Sequence, residues 1–576
     1  MNSNPKSMKG MRRALTNYGD PEFSLYLRTA FIKAMGYTDD SLDRPIIGIV
    51  NTHSGYNPCH ATVPDLIAAV KRGTMLAGGL PIEFPTISLH ESFAYPTSMF
   101  LRNLMAIDTE EMIRAQPMDA VVLIGGCDKT VPAQLMAVAS ADIPAISLVT
   151  GPMLSGSHRG ERVGACTDCR RFWAQYRAGE IDRHEIDEIT DNLVPSGGTC
   201  GVMGTASTIA CMTEALGMML PGGATIPAVL ADRMRHAENV GQRSVTLADE
   251  GLAPSRIITP ASLANALRML LAIGGSTNGI VHLAAIAGRL GIEIDYQAFD
   301  QMGRETPVLI DLKPSGNHYM DDLHRAGGLA PLFRELKPLL NLDCLTVTGR
   351  TLGKEIDNLP AAFRQEVVRT IEEPIHQGGS IAVLNGNLAG NGAIIKQSAG
   401  TQKLMTHTGK AVVFESIEDM ATRIDDPDLE VSETDVLVMK NCGPRGAPGM
   451  PEAGYIPIPK KLARKGVTDM VRISDGRMSG TAFGTIVLHS SPESAIGGPL
   501  ALVENGDSIT LDVPNRLLTL HVEESELERR RVNLKLPVDP ATLRGYLRLY
   551  HEQVNQAEKG CDFEFMTAHE VVGKTP

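Results

Sequence analysis

The sequence predicts an α/β protein in two parts: a parallel-sheet α/β domain over residues 1–365 and a β-rich, barrel-like domain over residues 366–576. Three observations predict it. Between residues 45 and 149, short apolar and β-branched runs alternate with longer stretches of helical period. After about residue 340, helices give way to short apolar strands split by Gly and Asn. A chain of 576 residues is also too long for one hydrophobic core.

The elements follow in order. Glu22 to Met35 carries Phe23, Leu25, Leu27, Phe31 and Met35 at a mostly helical period. Pro45–Val50 reads as a buried strand that ends in the loop Asn51-Thr-His-Ser-Gly-Tyr-Asn-Pro-Cys59-His60. A helix over 63–76 and a strand over 85–89 come next. Helix 97–115 leads to strand 120–124, and helix 131–141 to strand 144–149 and a Gly-rich loop at 151–160. A buried helix starts near Met203, and helices dominate 225–340. The boundary falls within 345–380, where 355–373 is polar and helix-like. Strands are then expected at 380–384, 410–414, 434–439, 469–473 and 508–513.

Composition narrows the function. A net charge of -13 with no long Lys/Arg run argues against a nucleic-acid partner. Arg529, Arg530 and Arg531 follow four glutamates and read as a solvated helix face. No apolar run approaches the ~18–20 residues of a membrane span, and no secretory h-region is visible. Nine scattered cysteines are an odd number and do not resemble a disulfide framework, which points to the cytoplasm.

The residues that carry chemistry sit where strands end. Gly125-Gly126-Cys127-Asp128-Lys129 follows a run of five apolar residues and sets a soft ligand, a hard ligand and an amine side by side. In open α/β sheets, ligands bind outside the carboxyl ends of strands. Cys59 and Cys200 (in Ser196-Gly-Gly-Thr-Cys200-Gly) also follow turn-forming residues and lie outside apolar periodic runs. Three thiolates can hold an iron–sulfur cluster and leave an iron open, since electron-transfer clusters normally use four. Cys211 and Cys344 read instead as small buried hydrophobes. Cys166 and Cys169 form a C-x-x-C, the spacing of zinc or thiol-redox sites, but no second such pair exists to complete a zinc ribbon. Glu91, Asp128 and Glu452 are carboxylates in loops among glycines, a donor type suited to Mg²⁺. Ile473-Ser-Asp-Gly-Arg-Met-Ser479-Gly-Thr481 is a polar Gly-rich loop: an anion nest, a plain turn, or the setting of a catalytic hydroxyl. A nucleophile elbow, a P-loop, an H-E-x-x-H and a dinucleotide fingerprint are all missing.

Four of these motifs, Gly-Gly-Cys127-Asp128-Lys129, Ser-Gly-Gly-Thr-Cys200-Gly, Gly-Pro-Arg-Gly-Ala-Pro-Gly-Met-Pro-Glu452 and Ser-Asp-Gly-Arg-Met-Ser479-Gly, occur together and in order. In this the chain resembles the dihydroxy-acid, 6-phosphogluconate and sugar-acid (aldonate) dehydratase family over nearly its whole length. The resemblance implies an α/β domain followed by a barrel-like domain, in a homodimer or homotetramer. It implies an iron–sulfur cluster on Cys59, Cys127 and Cys200, and Mg²⁺ on Glu91, Asp128, Glu452 and a CO₂-derived carbamate of Lys129. Ser479 would be the base, with Ser479 and Thr481 contacting substrate. A cysteine at position 59 resembles the [2Fe–2S] members rather than the [4Fe–4S] members.

The implied reaction turns a 2,3-dihydroxy acid into a 2-keto-3-deoxy acid by removing the C2 proton and the C3 hydroxyl, with metals acting as Lewis acids. The N-terminal Ala14-Leu-Thr-Asn-Tyr-Gly-Asp and Phe23-Ser-Leu-Tyr-Leu-Arg28 stretches look closer to sugar-acid members, such as those acting on a pentonate, than to the branched-chain biosynthetic dihydroxy-acid dehydratases. Two readings of other classes stay open here: a non-catalytic iron–sulfur sensor, and a zinc or thiol oxidoreductase centred on Cys166 and Cys169.

Overall fold

The structure, a computed structural model, describes residues 9–537, 540–568, 570 and 572–575. Its first part is built on four parallel strands: β1 (Ile46–Asn51), β2 (Leu80–Pro85), β3 (Ala120–Gly125) and β4 (Ala145–Val149). They lie in the order β2-β1-β3-β4. β1 and β3 are buried almost throughout, as expected of strands covered on both faces. From β1 the chain goes to one side for β2, then crosses to the other for β3. The carboxyl ends of β1 and β3 therefore flank the point where strand order reverses.

Helices cover the sheet. α1 (Pro21–Lys33) is capped by Asp20, yet Phe23, Tyr26 and Phe31 are exposed, as is Met35 just beyond it. α2 (Val63–Leu76), α3 (Arg102–Ala115) and α4 (Thr130–Ala141) connect successive strands. Farther along come α5 (Thr167–Ala178), α6 (Thr205–Ala215) and α7 (Ala231–Glu250). α2 and α7 cross so closely that a Cβ at Gly73 would run into the backbone of Glu238, and one at Gly241 into that of Val70.

The second part is a closed eight-stranded barrel with its own apolar interior. Its strands are β5 (Ala382–Gly386), β6 (Ala389–Ile395), β7 (Thr406–Phe414), β8 (Val436–Met439), β9 (Arg472–Ser474), β10 (Ile486–Ser491), β11 (Ser508–Asp512) and β12 (Leu517–Leu520). They close in the order β7-β8-β9-β10-β6-β5-β12-β11, with β7 through β10 mutually parallel. The C-terminal segment returns to the first part. Tyr550, Val554 and Phe563 pack with Met99 and Val281, and Arg289 forms a fully buried ion pair with Asp562 at 2.5 Å. No helix among the described residues is long and apolar enough to cross a membrane.

Several local expectations are corrected. The second strand is Leu80–Pro85, not 85–89. Pro81 and Pro85 mask it in the sequence, but β2 is an edge strand, where prolines are tolerated. The helix expected over 355–373 ends at Asp357, three residues before Pro360. Helix 97–115 begins as a 3₁₀ turn at Ser98–Leu101. The loop at 151–160 contains one arm of a short hairpin, 156–158 paired with 161–163. β6, β10 and β12 were not anticipated.

Candidate active site

The loop after β1 makes a single 3₁₀ turn, Pro58–His60, held by the Asn57 side chain accepting from the Cys59 amide. Cys59 and His60 are thereby buried. The fully buried His60 ties this loop to the one after β3: its Nε2 accepts from the amides of Gly126 and Cys127 at 3.0 and 3.2 Å. Its Nδ1 lies 2.8 Å from the Thr52 carbonyl, so the neutral Nδ1–H tautomer satisfies all three contacts. Burial pushes this imidazole down to about 4, with the Thr52 carbonyl opposing, so it stays neutral near pH 7. A Cβ at Gly126 would strike Thr150 Oγ1 and the Cys59 carbonyl. The glycine thus lets the two strand-end loops touch.

One pocket of soft donors results. Cys59 Sγ, Cys127 Sγ and a ring nitrogen of His90 lie within 4.8 Å of one another. The Cys59 thiol is pushed well up, first by its hydrogen bond with Cys127, then by burial, then by Cys127, Cys200 and Asp128 as neighbouring negative charges. Cys200 approaches from a third loop, where the Gly198 amide donates to the Pro58 carbonyl at 3.1 Å. Buried thiols facing one another suit a thiophilic metal centre, whose binding would displace their protons. His90 was not singled out in the sequence.

A pocket of hard donors adjoins it across one peptide bond. Cys127 Sγ and Asp128 Oδ1 are 3.5 Å apart. Lys129, fully buried, pairs with Asp128 and lies 3.5 Å from Glu91. Glu91 accepts hydrogen bonds from Thr97 and Ser98. The barrel completes the pocket. Glu452 follows β8, and Arg477 and Ser479 follow β9, all beyond the ends of parallel barrel strands. Arg477, 2% exposed at its side chain, bridges Glu452 at 2.7 Å and Glu91 at 3.3 Å, and donates to Thr97 at 2.8 Å. Burial alone would raise the Glu91 carboxyl, but Lys129, Arg477 and the two hydroxyls carry it far below the usual range. Three carboxylates linked through Lys129 and Arg477 are the donor type a hard cation takes, and the two side-chain cations balance them here.

The structure therefore brings Cys59 and Cys127, and Glu91, Asp128, Lys129 and Glu452, into two adjoining pockets, with Cys200 at the edge of the first. Ser479 Oγ lies 2.9 Å from Thr481 Oγ1. Their loop abuts the amino end of α6: a Cβ at Gly480 would sit 2.8 Å from the Thr205 amide nitrogen, and one at Gly204 would sit 2.9 Å from Thr481 Cγ2. Arg477 was not singled out either, although it lies inside the Ser-Asp-Gly-Arg-Met-Ser479 loop read as functional. Cys166, whose role was open, has its Sγ 3.2 Å from Cys200 Sγ.

Residues 44–355 match the family described as dihydroxy-acid/6-phosphogluconate dehydratase N-terminal, and residues 366–561 its C-terminal counterpart. An L-arabinonate dehydratase of Rhizobium leguminosarum bv. trifolii (strain WSM2304) is 46% identical over 95% of each chain. A 6-deoxy-6-sulfo-D-gluconate dehydratase of Pseudomonas putida is 42% identical over 93% of each chain. A dihydroxy-acid dehydratase of Acetivibrio thermocellus is 39% identical over 93% of this chain and 97% of its own.

Proposed function

The chain belongs to the dihydroxy-acid/6-phosphogluconate dehydratase family and is a hydro-lyase, and we propose that it converts a 2,3-dihydroxy sugar acid, such as a pentonate, to the 2-keto-3-deoxy acid. The observation that carries this reading is the pair of pockets, one soft and one hard, joined at Cys127–Asp128. Higher identity to two sugar-acid dehydratases than to a dihydroxy-acid dehydratase supports a sugar acid over the branched-chain alternative.

A [2Fe–2S] cluster on Cys59, Cys127 and Cys200, and Mg²⁺ on Glu91, Asp128, Glu452 and a carbamate of Lys129, would supply Lewis acidity to the C3 hydroxyl and to the carboxylate and C2 oxygen. The chain's own groups do the rest. Ser479 Oγ takes the C2 proton. A free hydroxyl is far too weak an acid for this, so its alkoxide needs a positive field. Two sources of such a field belong to the same region: Arg477, two residues earlier in the loop and fully buried, and the amino end of α6, which the loop abuts and which has no side-chain cap. Thr481 Oγ1 orients Ser479 and contacts substrate. Pentonate, hexonate and dihydroxyisovalerate offered to anaerobically purified enzyme should give keto-acid product chiefly with the sugar acids. Product from dihydroxyisovalerate alone would overturn the substrate. Ser479→Ala should lower turnover by roughly 10²–10⁴-fold and leave the cluster absorbance intact; near-normal turnover would remove Ser479 from the mechanism.

The exposed aromatic face of α1, with Met35, supports a homodimer or homotetramer. Nine free cysteines support a reducing, cytoplasmic location.

A further inference from the structure

Five cysteines lie in and beside this site, each with another of them as a neighbour, and the catalytic reading uses three. Cys59 and Cys127 are buried, whereas Cys200, Cys166 and Cys169 are partly open to solvent. Cys166 Sγ sits 3.2 Å from Cys200 Sγ, and Cys169 Sγ sits 2.6 Å from the Cys166 carbonyl, inside the first turn of α5. Closing a disulfide between Cys166 and Cys200 needs the sulfurs to approach by about 1 Å, to the ~2.05 Å bond length. That is within reach of small side-chain rotations. The same α5 turn carries Arg170, whose guanidinium lies over Tyr455 and 4.0 Å from Glu452, so this segment is anchored against the hard pocket.

We propose that Cys166, Cys169 and Cys200 form a thiol–disulfide exchange site that takes up oxidising equivalents from low-molecular-weight disulfides when the chain carries no cluster. The proposal rests on the reading of Cys200 as a cluster ligand for its consequence, not for its chemistry. The steps balance. The Cys166 thiolate attacks one sulfur of a disulfide such as oxidised glutathione; an S–S bond forms, the original S–S bond breaks, and one glutathione leaves as thiolate and takes a proton. The Cys200 thiolate attacks the Cys166 sulfur of that mixed disulfide and expels the second glutathione. Two protein thiols have then lost two electrons, and one glutathione disulfide has gained them. The Cys169 thiolate next attacks Cys166 sulfur, forming Cys166–Cys169 and releasing Cys200 as a thiol, with no further change in oxidation state. The C-x-x-C pair thus parks the oxidation away from Cys200 and returns that cysteine ready for iron. Uncatalysed exchange of this kind takes minutes to hours.

The test uses the full chain, with and without iron removed by a chelator under argon, exposed to oxidised glutathione, alkylated, and mapped by mass spectrometry of its peptides. Iron-free wild type should show a Cys166–Cys200 link early that gives way to Cys166–Cys169. Cys169→Ser should stop at Cys166–Cys200. Holoenzyme should show no link to Cys200. Should Cys169→Ser fail to fold, the order of the two links in wild type decides. Only glutathione adducts or free thiols, with Cys166 never joined to Cys200, would overturn the exchange. A second readout separates the two readings: oxidised Cys169→Ser should lose cluster absorbance on reconstitution with iron and sulfide and regain it after dithiothreitol. Unimpaired cluster uptake by the cross-linked chain would remove Cys200 from the ligand set while upholding the exchange.

Discussion

Lys129 and Lys396 are both fully buried, one at the reversal point of the sheet and one at the end of β6 in the barrel wall. Their electrostatics are opposite. Lys396 Nζ has no hydrogen-bond partner among the described residues, and burial pushes its amine down to about 7. For Lys129, burial and Arg477 pull the same way, but Asp128, Glu91 and Glu452 outweigh them and hold the ammonium. The difference teaches that the lysine beside the hard ligands is the less neutral of the two. CO₂ adds to a neutral amine, so a carbamate on Lys129 calls for something else to balance the carboxylates first. A divalent cation does so without changing the total, because turning an ammonium into a carbamate lowers the local charge by two.

Lys129→Met should break that comparison most severely. Turnover should fall by at least about 10²-fold, the scale of removing a group that holds transition-state charge, while cluster absorbance persists. Retained activity would remove Lys129 from the proposed ligand set. Arg477→Met removes the cation between Glu91 and Glu452, and should lower metal-free stability by about 3 kcal/mol. Added Mg²⁺ should recover part of this in thermal melts; an unchanged melt without Mg²⁺ would mean the bridge holds nothing.

Lys396→Met tests the other lysine. Unfolded, Lys396 keeps its proton to its ordinary value of 10.5; folded, it loses it near 7. The folded state binds fewer protons between those values, so stability is greatest above the upper value and is lost as pH falls through the lower one. The substitution should therefore stabilise the protein at pH 7 by up to about 4 kcal/mol, with the gain shrinking towards pH 10.5. A lower melting temperature at pH 7 would show that the amine is held by something after all. Thr97→Val removes one hydroxyl from Glu91 and Arg477, and should cost about 1 kcal/mol of stability, read by denaturant unfolding. No change would mean that Ser98, Lys129 and Arg477 fix Glu91 without it.

Much of this site was legible because it lies where strands stop. Cys127, Asp128 and Lys129 follow a run of five apolar residues, and Glu452 and Ser479 sit in Gly-rich loops after barrel strands. What escaped had no local signal. The strand Ala389–Ile395 reads Ala-Gly-Asn-Gly-Ala-Ile-Ile, too rich in glycine to announce itself. β2 hid behind two prolines. Arg477 looked like any loop arginine, since burial of a guanidinium is a tertiary fact. His90 and His60 act across loops from different strands. The approach of Cys166 to Cys200 spans two helices, Thr167–Ala178 and Arg183–Leu193, and the loop that follows them, and no spacing rule reaches that far.

The peptide bond between Cys127 and Asp128 has one more consequence. Their side-chain tips stand 3.5 Å apart, and the backbone between them cannot stretch, because consecutive Cα atoms are fixed at about 3.8 Å. α4 begins at Thr130, so the pair is also clamped from behind. The two donors therefore share one short stretch of backbone and cannot move far apart. Under the proposed reaction, that short separation suits reacting positions on adjacent carbons better than positions a further carbon apart. Under the same reading, choice among sugar acids falls to the surrounding loops and regiochemistry to two neighbouring residues.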